Sequence, residues 1–427
     1  MPQLQLLAEL PSHTEPAWCT TFNPTRSLLA SCSTDRSIRL FSYILPAPSE
    51  TPTPTGLPSS TDAKPVFSLN KVISTEHKRT VRSVAWSPDG KTLASGSFDS
   101  TVGVWEEVIP SSDDEDEDED AEGVFRPAGR GDDGESKVEK EWECVTTLEG
   151  HESECKSVAF SNDGALLASC SRDKSVWVWE VQPDADFECI AVMMEHSQDV
   201  KCIAWHPHEE ILASASYDSH IHLAFDDPDS DWMIFQKLHP KLIPTPLSIP
   251  NTSPTSLINA LIPTAEEKEA DEQLDVPPLE EDETVWSLAF SPDGGYLASG
   301  GDLGGIRIWK RQGNQPDSSW IEVLHLTVHS RSIFSLSWCP SPSHSPESTD
   351  LGLLASAGGD GKIVVFQLTS KDSGVEMRPI AAVKEAHGVS DVNAVGWCIR
   401  EDKKGLGLLS SAGDDGSLKV WRVVSDE

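Results

Sequence analysis

The segment VRSVAWSPDGKTLASGSFDSTVGVW, from Val81 to Trp105, decides the fold class of this 427-residue chain. It opens with an alternating stretch and the turn sequence SPDG, then continues through an apolar strand, a second turn with an Asp and a second alternating stretch. Alternation with period two, bounded by Pro, Asp and Gly, predicts antiparallel strands joined by tight turns. The segment therefore predicts three strands of one small sheet.

This pattern is repeated along the chain. It recurs without a gap in CKSVAFSNDGALLASCSRDKSVWVW (Cys155–Trp179) and in VWSLAFSPDGGYLASGGDLGGIRIW (Val285–Trp309). Seven copies align on the aromatic residue that ends the first strand: Phe22, Trp86, Phe160, Trp205, Phe290, Trp338 and Trp397. A fourth strand follows most copies, and four strands in about 40–45 residues are typical of propeller blades. We predict an all-β, seven-bladed WD40 β-propeller.

The alignment also gives approximate blade boundaries. Blades one to seven are predicted at residues 13–43, 66–108, 151–190, 196–238, 284–326, 329–384 and 387–424. The last copy stops at its third strand, and the N-terminal QLQLLAEL precedes no first strand of its own. We expect residues 3–10 to supply the fourth strand of blade seven, because this pairing removes two open sheet edges.

A histidine before the first strand and an aspartate in the second turn lie 22 residues apart in the first four blades. These pairs are His13 and Asp35, His77 and Asp99, His151 and Asp173, and His196 and Asp218. The spacing predicts a structural hydrogen bond between loop and turn in each blade, since a buried imidazole needs a partner. Blade five has Glu281 and Leu303 at these positions and is expected to lack this tie. Blade four has Ala224 where most blades end their third strand on an aromatic residue.

Three segments interrupt the repeat, at residues 44–64, 109–140 and 239–279. The first is rich in Pro, Ser and Thr, the second contains DDEDEDED (Asp113–Asp120), and the third is rich in Pro and Ser and then acidic. Segments of this composition bury too little apolar surface to offset the entropy of ordering. We predict that all three are disordered.

The overall composition narrows the classes of partner. The formal net charge of -37 disfavours both nucleic acid and anionic membranes as partners. The nine cysteines include no CxxC pair, which favours reduced thiols in the cytoplasm or nucleus. The sequence has no run of 18 apolar residues, and its start lacks the basic region of a secretory signal.

The common catalytic and metal-binding motifs are absent from the sequence. The sequence contains no GxSxG, P-loop or HExxH motif. The pairs His206/His208 and His220/His222 have no Cys or carboxylate cluster beside them in sequence, so no metal site is expected. We therefore expect a protein that is not an enzyme and that needs no cofactor.

Two ring positions of the predicted propeller indicate a binding face at one mouth of the central channel. One lies four residues before the aromatic that ends each first strand, and the other directly precedes the turn Asp. The basic and aromatic residues at these positions are Trp18, Arg82, Phe98, Lys156, Arg172, Lys201, Tyr217, Trp286 and Phe334. Exposed aromatics with Arg are typical of interface anchors, and a peptide bearing a carboxylate and an aromatic or aliphatic residue would suit them. Alternatively, acidic neighbours such as Glu154 and Asp199 neutralise these bases, which then only keep the rim soluble.

The repeats resemble a known family. ECVTTLEGHESECKSVAFSNDGALLASCSRDKSVWVWEV (Glu143–Val181) and DVKCIAWHPHEEILASASYDSHIHL (Asp199–Leu223) look like the WD-repeat subunit of the cytosolic iron–sulfur protein assembly (CIA) targeting complex. SRDKSVWVWEV after TLEGHE is the specific element, whereas SPDG and LAS occur in many WD-repeat proteins. The resemblance covers all seven blades and excludes the three inserts.

The resemblance implies a non-catalytic adaptor. Such a subunit joins a DUF59-type CIA subunit, a HEAT-repeat CIA scaffold and an iron-only-hydrogenase-like CIA factor. Together they bind apo iron–sulfur client proteins in cytoplasm and nucleus and direct [4Fe–4S] clusters into them. Arg172, in the SRDKS motif, is implied to be the functional residue of the top face. A generic WD40 adaptor, such as a ubiquitin-ligase substrate receptor or a chromatin-complex subunit, stays the alternative.

Overall fold

The computed structural model describes residues 2–46, 58–59, 62–108, 140–183, 186–227, 231–249, 253–262, 283–341, 349–371 and 374–425. Its strands form seven antiparallel sheets, one for each blade. Blade one contains β2 (Ala17–Phe22), β3 (Leu28–Ser33), β4 (Ser37–Ile44) and β5 (Val66–Ser74). Blade two contains β6 (Val81–Trp86), β7 (Thr92–Ser97), β8 (Val102–Val108) and β9 (Glu141–Leu148). Blade three contains β10 (Cys155–Phe160), β11 (Leu166–Ser171), β12 (Val176–Val181) and β13 (Phe187–Met193).

The other blades follow the same order from the inner strand outward. Blade four contains β14 (Val200–Trp205), β15 (Ile211–Ser216), β16 (Ile221–Asp226) and β17 (Trp232–Leu238). Blade five contains β19 (Val285–Phe290), β20 (Tyr296–Gly301), β21 (Gly305–Arg311) and β22 (Trp320–Thr327), with β18 (Thr245–Pro246) added parallel to β22. Blade six contains β23 (Ser335–Cys339), β24 (Asp350–Ala357), β25 (Ile363–Lys371) and β26 (Gly374–Val383). Blade seven contains β27 (Val392–Trp397), β28 (Leu408–Gly413), β29 (Leu418–Ser425) and β1 (Pro2–Leu10).

The ring closes through the N-terminal strand, as predicted. Strand β1 pairs antiparallel with β29, in a register that sets Gln3 opposite Val424 and Leu10 opposite Leu418. The inner strand of blade one also contacts blade seven, where Thr20 of β2 donates to Ser410 of β28 at 3.1 Å. The seven-bladed fold predicted from the repeats is therefore confirmed.

The hydrophobic core lies mainly between neighbouring blades. Ile38 and Leu40 of blade one, for example, are fully buried in one cluster with Val81, Trp86 and Leu93 of blade two. The alternation read from the sequence explains this arrangement, because every strand presents one apolar face to the adjoining sheet.

The predicted start of blade two is wrong. Residues 66–74 form the outer strand of blade one, in which Val66 lies opposite Ile44 and Ser74 opposite Ser37. The first insert therefore separates the third and fourth strands of one blade. Sequence alignment missed this because the fourth strand carries no turn motif of its own.

The prediction of disorder is wrong for part of two inserts. In the third, the apolar residues Leu257, Ala260 and Leu261 of the short helix α1 (Thr255–Leu261) are buried against the core of blades five and six. In the first, the backbone carbonyls of Asp62 and Ala63 accept hydrogen bonds from Arg422 of blade seven. Residues 109–139 and 263–279 lie outside the described residues.

The helical content bears on membrane insertion. The helix α1 has seven residues, and the described ranges contain no helix of the length and hydropathy needed to cross a bilayer.

Candidate protein-binding face

A hydrogen-bonded group of four side chains fixes the loops of this face. In blade two, Nδ1 of His77 is 3.2 Å from Asp99, and Nε2 of His77 is 2.8 Å from Oγ of Ser95. The indole of Trp105 donates to the same hydroxyl at 2.8 Å. Asp99 also accepts the backbone N–H of Lys78 at 2.7 Å, so the loop before β6 is held against the turn after β7.

The histidine–aspartate hydrogen bond is present in six blades. The other pairs are His13–Asp35 at 3.0 Å, His151–Asp173, His196–Asp218 and His387–Asp415 at 2.9 Å, and His329–Asp360 at 2.8 Å. Burial would raise the pKa of these carboxyl groups, but hydrogen bonds and the histidine outweigh it, and each pKa lies well below its ordinary value. Sequence reasoning missed the serine partners, although a serine recurs at the same place in every LAS-like strand.

Blade five replaces this group with an ionic one. Arg307 lies 3.2 Å from Glu283 and 2.6 Å from Glu322, and all three side chains are nearly buried. Glu283 accepts the backbone N–H of Leu303 at 2.9 Å, as the turn aspartate does for the loop elsewhere. The expectation that blade five lacks an internal tie is therefore wrong: it has a different tie, built from residues that the repeat pattern does not mark. Glu281 lies outside the described residues.

The predicted basic residues of blades two and three gather around Phe98. Nζ of Lys156 lies 4.1 Å from the centre of the Phe98 ring, and the guanidinium of Arg79 lies 5.8 Å from it. Glu154 binds both cations, at 2.6 Å from Lys156 and 2.9 Å from Arg79. Arg79 was missed from the sequence, because it occupies the loop before β6 rather than either ring position.

Arg172 is the most exposed of the predicted site residues. Its backbone N–H donates to the carbonyl of Glu154 at 3.0 Å, which anchors the turn, while 58 % of its side chain is accessible. Its guanidinium lies 3.8 Å from Glu154 and 3.9 Å from Asp199, too far for close hydrogen bonds. The head group therefore stands between two carboxylates without being fully engaged by either.

Lys201 continues the surface into blades four to six. Its Nζ lies 3.5 Å from the Tyr217 ring centre and 4.9 Å from that of Trp286, and Phe334 packs on Trp286 at 5.3 Å. Burial, followed by the positive charge of Lys156, lowers the pKa of Lys201 to about 8, although Asp199 opposes this shift.

Arg82 and Trp18 form the other end of the surface. The guanidinium of Arg82 lies 4.8 Å from the ring centre of Trp18, whose indole N–H donates to Thr34 at 2.8 Å. Beyond Phe334 the ring position is neither basic nor aromatic: Asn393 of blade seven occupies it, is buried and donates to Asp414.

The structure thus brings the nine predicted residues together in an asymmetric arc. Counting Arg79, the arc has five bases, and four of them pair with Glu154 or Asp199 in the ion pairs found among the described residues. A third carboxylate, that of Asp302, accepts the indole N–H of Trp286. Acidic neighbours do pair with these bases, as the alternative reading expected, but they leave an excess of positive charge. Such a surface suits an anionic partner that also offers apolar area.

Comparison with known proteins agrees with this architecture. The family described as WD domain, G-beta repeat matches residues 4–42, 67–106, 142–180, 187–223, 278–310 and 320–367. A protein of Cryptococcus neoformans var. neoformans serotype D, named probable cytosolic iron-sulfur protein assembly protein 1, is 71% identical over 445 residues, covering 100% of both chains. This chain belongs to the same WD-repeat family.

More distant members have the same name. The protein of Mycosarcoma maydis is 42% identical, with 99% of this chain and 93% of the relative covered. That of Vanderwaltozyma polyspora is 36% identical, with 98% and 99% covered. Because the matches extend over nearly the whole of each chain, the family resemblance inferred from the repeats is confirmed.

Proposed function

We propose that this propeller is a non-catalytic adaptor of cytosolic iron–sulfur protein assembly. It binds apo-client proteins and partner subunits so that [4Fe–4S] clusters reach cytosolic and nuclear iron–sulfur proteins. The name of the relatives supports the pathway, and the seven-bladed WD-repeat propeller supports the adaptor role. The partners that we expect are a DUF59-type subunit, a HEAT-repeat scaffold and an iron-only-hydrogenase-like factor.

One observation carries the proposed site: a net positive, aromatic surface at the channel mouth of a chain whose formal charge is -37. Acidic repulsion elsewhere would steer an anionic ligand toward this mouth. Arg172 offers its guanidinium fork to a carboxylate, while Phe98 and Tyr217 supply apolar contact on either side. We assign client or partner binding to the nine residues of this arc, with Arg172 as its centre.

The proposal is tested by affinity purification of the full chain, read by mass spectrometry. The test variant is Arg172→Glu, which reverses the exposed charge without removing any buried group. The matched control is Lys91→Glu, in the turn between β6 and β7 on the opposite face, where 79% of the lysine side chain is accessible. Both variants should keep the circular dichroism spectrum and melting temperature of the parent.

We expect the parent and Lys91→Glu to recover a DUF59 protein, a HEAT-repeat scaffold and iron–sulfur clients. Arg172→Glu should lose clients at least tenfold, the range in which a disrupted interfacial charge pair falls. Equal recovery by all three chains would refute the site. Recovery of cullin adaptors or chromatin subunits in place of these partners would refute the pathway.

A further inference from the structure

Blade four holds a cluster of two histidines and a carboxylate, and the described residues of the other blades contain no such group of three. The ligand atoms of His196, Asp218 and His222 all lie within 4.8 Å of one another. The rings of His196 and His222 stack in nearly parallel planes with their centres 3.7 Å apart. His196 and Asp218 belong to the recurrent structural group, whereas His222 is an addition.

His222 is buried but incompletely bonded. Only 3% of the residue is exposed, and its Nδ1 is one of the buried side-chain nitrogens in the described structure that have no hydrogen-bond partner. A buried polar atom without a partner is unfavourable, and native proteins usually satisfy such an atom with water or an ion. A bound water or ion would therefore be favourable beside Nδ1 of His222.

A small cavity lies beside the two histidines. It measures about 10 Å³ and is lined by His196, Ser214, His222 and Ala224, among others, whereas Asp218 is not part of its lining. In blades two and three the position of Ala224 is held by Trp105 and Trp179, whose indoles bind the equivalent serine. The replacement of tryptophan by alanine in blade four thus leaves room for about one atom of the size of a water oxygen or a metal ion.

The residues around the three ligands are already arranged as in metal centres. Nε2 of His196 lies 2.9 Å from Oγ of Ser214, so it can donate its proton there when Nδ1 is used for coordination. Asp218 accepts backbone N–H groups of Ser197 at 2.8 Å and His220 at 3.1 Å, which fix the carboxylate. These partners orient the ligands before any ion arrives.

We propose that His196, Asp218 and His222 bind one divalent transition-metal ion such as zinc. Two imidazoles and a carboxylate with a fourth position for water are a ligand set that zinc accepts. Tetrahedral ligands about 2.1 Å from zinc lie roughly 3.4 Å apart. Separations of up to 4.8 Å in the cluster must therefore shorten by as much as about 1.4 Å, while the 2.9 Å contact between His196 and Asp218 must open by about 0.5 Å.

Blade six provides the matched variant for the test. Val364 lies opposite Ser356 just as His222 lies opposite Ser214, and blade six keeps its own histidine–aspartate–serine hydrogen bonds. His222→Val therefore removes one ligand with a residue that the propeller already accommodates at this place. His220→Val is the control, because it removes a neighbouring histidine that is not one of the three ligands.

The experiment is calorimetric titration of zinc chloride into the full chain, without a histidine tag and after dialysis against EDTA. We expect one zinc ion per chain, an affinity at least tenfold lower in His222→Val, and an unchanged affinity in His220→Val. No binding by the parent, or equal binding by parent and His222→Val, would overturn the proposal.

A spectroscopic measurement on the parent chain tests the metal site without requiring that any variant folds. Cobalt(II) in a site of nitrogen and oxygen ligands gives visible bands without the near-ultraviolet band of a cobalt–thiolate bond. That spectrum at one equivalent supports the site. A thiolate band would place the metal on cysteines and refute the assignment.

Discussion

The ionic group of blade five predicts that Arg307→Ala destabilises the propeller strongly. Arg307 faces Glu283 and Glu322, whose side chains are 7% and 3% exposed. Its removal leaves two nearly buried carboxylates without a cation, and breaking a buried ion pair in this way costs about 3–5 kcal/mol. The backbone donors that remain, from Leu303 to Glu283 and from Leu242 to Glu322, keep the loss within that range.

The assay is equilibrium unfolding in urea, followed by tryptophan fluorescence and checked by calorimetry. For a domain of this size the loss corresponds to a fall in melting temperature of roughly 4–7 °C. The matched control is Lys371→Ala, which breaks the exposed pair with Glu376. This variant should change the free energy of unfolding by less than about 0.5 kcal/mol, since surface pairs contribute little.

A loss of stability no larger than that of Lys371→Ala would show that this ionic group does not tie the blade.

Three further predictions concern the other blades. Burial alone would raise the pKa of Asp415, but its histidine and serine partners outweigh burial and lower the pKa to about 2. The stability that this carboxylate contributes should be complete above about pH 4 and disappear as the pH falls toward 2. Acid titration followed by fluorescence should show that Asp415→Asn lacks this contribution. Because the pKa of Lys201 is about 8, binding of an acidic client peptide should weaken between pH 7 and 9. Lys201→Arg should remove that pH dependence in a fluorescence anisotropy assay. The same pH profile in both chains would contradict a role of the Lys201 charge in binding. Ser169→Ala leaves His151 and Trp179 without their shared partner and should cost about 1–3 kcal/mol in urea unfolding, whereas an unchanged midpoint would show that the hydroxyl is dispensable.

The sequence predicted the candidate site better than it predicted the inserts. Ring position follows from repeat register, so Arg82, Lys156 and Arg172 could be placed at one mouth before any coordinates were known. The ion pairs of this site could not be predicted, because whether Glu154 binds Lys156, Arg79 or both depends on side-chain distances across blades. The lowered pKa of Lys201 likewise depends on its burial and on charged neighbours from three blades, Lys156, Asp199 and Arg82.

By itself, then, the sequence determined the number of blades, the direction in which each strand faces and the closure of the ring. The strand and turn patterns behind these features occur in seven copies, and aligning the copies shows which residues recur at each position. Only the tertiary structure decided that Arg307 replaces the lost histidine of blade five, that α1 packs on blade six, and that His222 lies against His196. Each of these occurs once, between residues far apart or on neighbouring strands, and such contacts are set by packing in three dimensions rather than by any period in the chain.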